Sequence, residues 1–108
     1  MKLLLLSFLT IAALSAAPAP QTFTGTITDS ECADANHSRM RMGPTDAECA
    51  VACAEEHSAT YLLYDGRVAY SLSNQRTLAQ FAARKVTVTG TLDAVTKTIE
   101  VDSIAAAK

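Results

Sequence analysis

Three cysteines and two histidines are the residues of this chain whose types and spacing offer chemistry. Cys49 and Cys53 are four positions apart, so on a helix they stack on one face, about 40° apart around the axis. His57 continues the same row. Cys32 and His37 come from the preceding segment, which must fold back to enter that helix. Cys32, His37, Cys49 and Cys53 are therefore candidate donors to a single soft ion. A tetrahedral zinc site asks for sulfur at about 2.3 Å and nitrogen at about 2.0 Å. Copper(I) is the rival occupant, because Met40 and Met42 add thioethers and copper favours sulfur-rich sites. Cys49 in the first helical turn sits where the helix dipole favours a thiolate.

Two other uses of the same thiols stay open. Cysteines outside the cytoplasm usually pair. A Cys32–Cys49 or Cys32–Cys53 disulfide would pin the loop to the helix, leave one thiol over and need no metal. A bond between Cys49 and Cys53 is disfavoured, since helical i, i+4 pairs reach disulfide geometry only with strain. Thiol redox chemistry is the third use and requires a depressed pKa at Cys49 or Cys53. The spacing of that pair is one residue longer than the thioredoxin-type Cys-x-x-Cys. Among the neighbours, His37 is equally a solvated loop residue or a ligand. His57 reads as a partner for the last helix carbonyls, and Met40 and Met42 as cover for the core. Asp29, Glu31, Asp34, Glu55 and Glu56 read as a solvated acidic face. No nucleophile elbow, phosphate-cradling glycine loop or haem-attachment motif is present, and the expectation is a protein that is not an enzyme.

The elements that must position these residues follow from periodicity. Residues 22–28 alternate threonine with Phe23, Gly25 and Ile27, which predicts a half-buried strand with Gly25 at a bulge or close approach. Residues 29–43 have no period and predict a loop. Thr45 with Glu48 three residues on is a capping box, predicting a helix from about Asp46 to about His57 with Ala47, Ala50, Val51 and Ala54 on its apolar face. Two strand-like runs, 61–64 and 68–72, flank Asp65-Gly66, a hairpin signal. A second short helix is expected over 75–83 with Leu78, Phe81 and Ala82 inward. Alternation returns at 85–92 and 98–104, and 105–108 reads as a frayed tail.

Five strands with a helix between the third and fourth predict a mainly β fold with two short helices. Its expected form is a five-stranded OB-like Greek-key barrel, with the Cys/His loop and helix inserted between strands 1 and 2. An open antiparallel sheet with two helices on one side is the alternative. Barrel closure hides strand edges and uses Gly25 and Gly90 as bend points.

The first segment reads differently. A positive start at Lys2, an apolar run over 3–14 and small residues at 15–17 have the order of a secretory signal. The expected organisation is a signal peptide at 1–17, a linker at 18–21, one domain at 22–104 and a tail at 105–108. Export to the periplasm or the exterior follows, with about 90 residues in the mature chain and no membrane attachment after signal removal. The whole chain of 108 residues carries nine basic and eleven acidic side chains, net −2, and loss of Lys2 makes the rest more acidic. Nucleic acid is excluded as a partner on that balance, since its binders need a basic face. A core this small often needs a disulfide or a metal as a supplement.

The ordered set Gly25-x-Ile27-x-Asp29-Ser30-x-Cys32, His37 and Asp46-x-Glu48-Cys49-x-x-x-Cys53, with the hairpin over 61–72 and the strand over 86–92, resembles an uncharacterised family of small secreted bacterial proteins. The resemblance spans nearly the whole mature chain and implies a single OB-like domain and export. It implies no activity. Ala33 departs from the glycine that many members carry after the first cysteine. The leading expectation is a secreted or periplasmic binding or structural module whose Cys/His segment holds zinc or copper(I). The competing ones are a disulfide-stapled domain that binds a protein, peptide or glycan, and a thiol redox protein.

Overall fold

The computed structural model describes residues 19–108, and the expected signal peptide lies outside the described residues. Five strands and one α-helix organise the described residues: β1 (Gln21–Asp29), α1 (Asp46–Glu56), β2 (Tyr61–Tyr64), β3 (Ala69–Leu72), β4 (Lys85–Asp93) and β5 (Thr98–Ala106). The strands form one mixed sheet in the order β1-β2-β3-β5-β4, and β4 pairs back to β1 so that the sheet closes into a ring. All pairings are antiparallel except β3 with β5, a short parallel contact at Ser71–Thr98 and Leu72–Ile99.

Alternation along the strands places the core. Ile27, Leu63, Leu72, Val86, Val88 and Ile99 are buried inside the ring with Tyr61. β1 is long enough to serve two neighbours, pairing β4 through its first half and β2 through its second. It can bend between them because Gly25 has no side chain: a Cβ there would collide with the Tyr64 carbonyl. Gly90 plays the same part against the Glu100 carbonyl, beside the register shift between Thr89 and Gly90. That shift leaves Asp102 as an extra residue in β5, which is why Val101 and Ile104, three apart, both pack on the core.

The hairpin forms as its sequence predicts. Asp65 accepts the Arg67 and Val68 N–H groups at 2.8 and 2.7 Å, and Gly66 adopts φ +102°. The helix N-cap forms too: Thr45 Oγ1 accepts the Glu48 N–H at 3.1 Å, and its hydroxyl donates to Glu48 Oε2 at 3.0 Å. α1 lays Ala50 into the core, with Ala47, Val51 and Ala54 packed against it.

Two expectations are corrected. Among the described residues only one α-helix is present, since the stretch 75–83 yields a single 3-10 turn at Ala79–Phe81. The Gln75 side chain is bonded across the strand ends, accepting from Tyr61 N and donating to the carbonyls of Tyr61 and Leu72. Ala83 then leaves at φ +61°, so fewer than three helical turns could form, too short to persist without packing. Leu78 and Ala82 are nonetheless buried in the core. The chain end is not frayed at its start: Ala105 and Ala106 pair with Thr87 and Val86 in β5.

The Cys/His segment is an insertion between β1 and β2, as expected. Its two ends are tied together, Ser30 N–H donating to the Thr60 carbonyl at 2.8 Å and Thr60 N–H to Ser30 Oγ at 3.0 Å.

Candidate metal centre

The centre begins at the last residue of β1. Phe23, Gly25 and Ile27 face inward, and Asp29 continues that row by period two. Its carboxylate is therefore carried to the end of the ring and is fully buried. Oδ1 accepts the N–H groups of Glu31 and Cys32 at 2.9 and 3.1 Å, which turns the chain back on itself. Thr28 Oγ1 donates to the Cys32 carbonyl at 2.6 Å and holds the same turn. Oδ2 has no hydrogen-bond partner.

His37 enters from the loop. Asn36 Oδ1 caps a 3-10 turn at His37–Arg39 by accepting the Ser38 N–H. An exposed Arg39–Asp34 ion pair at 2.7 Å closes the outside of that turn. The imidazole is buried, and Nδ1 has no hydrogen-bond partner. It lies 3.8 Å from Asp29 Oδ2, too far for the two to satisfy each other by a hydrogen bond. Donor atoms of Asp29, Cys32 and His37 all lie within 4.8 Å of one another, and all three residues are buried.

A buried polar atom without a partner costs about 1–3 kcal/mol, more for a charge. Two such atoms face each other here beside a sulfur. A tetrahedral ion with donors at about 2.0–2.3 Å sets those donors about 3.3–3.8 Å apart. The Asp29–His37 separation of 3.8 Å is a few tenths of an ångström wider than an oxygen–nitrogen pair on such an ion, and the Asp-Cys-His group could hold a metal ion.

Of the four donors expected from sequence, Cys32 and His37 are brought together in this group. Cys49 and Cys53 are also buried, on the face of α1 turned toward the ring, but the mutual 4.8 Å group does not extend to them. Cys49 Sγ accepts the Met42 N–H and donates to the Met40 carbonyl, each at 3.3 Å. It thereby clamps residues 40–42 to the helix. Burial pushes the Cys53 thiol up to about 12, with the charges of Asp29, Cys49 and Cys32 adding to the effect. Cys32 is raised by the same burial and by Asp29. Both shifts run opposite to the reactive thiolate that redox chemistry needs. No two of the cysteines stand at bonding distance.

Asp29 is the residue that sequence reasoning misplaced. It belongs to the buried centre and not to a solvated acidic face. The signal was the inward row of β1, which continues to position 29 without interruption. His57 caps α1 through its backbone N–H to the Cys53 carbonyl, and its side chain is exposed, away from the centre.

No family model, curated protein or solved structure matches this chain. Among the described residues, no helix is long and apolar enough to cross a membrane.

Proposed function

We propose that the protein is an exported, non-enzymatic zinc-binding module, in which an OB-like barrel presents a buried metal centre at the end of its first strand. The observation that carries this is the pair of orphaned buried atoms, Asp29 Oδ2 and His37 Nδ1, beside the Cys32 sulfur. The strand order of the ring, with the insertion between β1 and β2, supports the OB-like form. Zinc is favoured over copper(I) by the donors themselves. Carboxylate oxygen is hard and suits copper(I) poorly, while zinc takes oxygen, imidazole and thiolate together. A closed, buried site of this kind is structural, so its occupant contributes to folding rather than to a reaction. The insertion it organises is then the surface a protein, peptide or glycan partner would meet.

Metal analysis of the chain lacking residues 1–17, purified after refolding with zinc, tests the proposal. One equivalent of zinc per chain is expected, lost on Asp29→Asn or His37→Ala. A metal-free protein carrying one disulfide and one free thiol would replace it with the stapled-domain alternative.

A further inference from the structure

The ring closes over only part of its height. β5 runs nine residues, whereas β2 and β3 run four each. β3 therefore reaches β5 only at Ser71–Thr98 and Leu72–Ile99. Just beyond, Ser73 N–H donates to the Ile99 carbonyl and Ser73 Oγ accepts the Val101 N–H at 2.9 Å, which ends the contact. From there to Ala106, β5 is paired on its other side alone, with β4. Among the described residues, no strand lies along this second edge.

Backbone parity fixes which groups the edge presents. Ala107 N–H donates to the Lys85 carbonyl, so the odd-numbered residues at this end of β5 bond to β4. Ile104 and Ala106 stand opposite Val88 and Val86 as the non-bonded pairs between them, and turn their N–H and C=O groups outward. A free edge of this kind is a template for another strand, and proteins guard it with bulges, prolines or charge. The bulge at Asp102 stands just before the free stretch, and residues 103–108 include no proline and no acid. The charges at the two ends of the stretch are opposite in sign, Asp102 and Lys108. Both are exposed, and neither is ion-paired within the chain among the described residues.

We propose that β5 pairs with β5 of a second copy of this chain, antiparallel across a two-fold axis at Ala105. In that register Ile104 of each copy exchanges backbone hydrogen bonds with Ala106 of the other. Ser103 meets Ala107, and Asp102 meets Lys108 at both ends of the contact. The contact is self-complementary, as a closed two-fold interface must be. A register centred on Ile104 would instead draw the bulge into the new ladder and bring Glu100 to Lys108. The Val101 N–H beyond the bulge is already taken by Ser73 Oγ, which favours the register at Ala105. One short strand a side falls well below the roughly 1,600 Å² of a stable complex, so the pairing depends on concentration.

Sedimentation equilibrium of the chain lacking residues 1–17, over a wide concentration range, reads the association directly. A monomer–dimer equilibrium is expected. Asp102→Lys alone and Lys108→Asp alone should each weaken it about tenfold, since each turns two attractive contacts into repulsive ones. The two changes together should restore it to near the wild-type value. Glu100→Lys, which the alternative register would feel, should leave it unchanged. Ala106→Pro removes an edge-facing N–H without touching the bond from Ala107 to Lys85, and should abolish the dimer while leaving a folded monomer by circular dichroism. Where Ala106→Pro fails to fold, the charge-swap series still decides. A monomer at every concentration, a dimer that ignores the single swaps or is not restored by the double one, a loss on Glu100→Lys, or assembly that continues past two copies overturns the pairing.

Discussion

The closed sheet and the insertion it carries are stabilised by different physics. Inside the ring, Ile27, Leu63, Val86, Val88 and Ile99 are fully buried and apolar, and the backbone is paired strand to strand. Nothing there calls for a ligand. The insertion between Ser30 and Thr60 buries Cys32, His37, Cys49 and Cys53 but only Ala50 as a buried hydrocarbon side chain. It encloses polar atoms with no partner at the point where it meets β1. A small domain can complete its apolar core with a closed sheet, yet a loop and one short helix cannot do the same from alanines and thiols. In the proposed reading, a metal ion held by Asp29, Cys32 and His37 would supply locally what hydrophobic burial supplies in the ring.

That contrast can be broken most forcefully from the ring. Ile27→Ala or Leu63→Ala should destabilise by about 2–5 kcal/mol in chemical denaturation, by the same amount with and without zinc. A zinc-dependent loss would mean that the two regions are not energetically separate. The next effect is alkaline. Cys53 has a folded value above its ordinary 9.0, so its protonated form favours folding, and that contribution is complete below about pH 9 and fades as pH rises toward 12. Metal-free protein should lose on the order of a few kcal/mol across that window, with Cys53→Ala flattening the dependence. Denaturation midpoints measured from pH 8 to 11 check it.

Zinc should act on the other side. At a free concentration about 100-fold above Kd it adds about 2.7 kcal/mol. Amide exchange should slow over residues 30–60 with little change in β4 and β5, and uniform slowing through the ring would remove the distinction. The smallest effect sharpens the same point: Thr45→Ala removes the cap of α1 and should cost about 1 kcal/mol, felt in the insertion's exchange rates before those of the sheet.

Much of the ring was legible because its cues are local. The threonine alternation of β1 and β4, the Asp65-Gly66 turn and the Thr45–Glu48 box each declare themselves within a few residues. So does the insertion point, since residues 29–43 break the period. Gln75 was misleading because its side chain acts at long range, on the ends of β2 and β3, where a helix-like composition says nothing of such bonds. Asp29 shows a different failure. Its parity placed it inward, but a lone carboxylate in an acidic stretch is ordinarily solvated. Only the fold brings His37 and Cys32 to it. The four expected donors were read from spacing along one helix and its preceding loop, which could not foresee that the Cys49 sulfur is held by the loop backbone.

X-ray absorption at the zinc edge of the metal-loaded chain tests the convergence of β1 and loop most directly. Sulfur at about 2.3 Å and nitrogen or oxygen donors at about 2.0 Å are expected, with Asp29→Asn disturbing the light-atom shell. A six-coordinate shell of light atoms alone, or a chain that takes up no zinc, would contradict it.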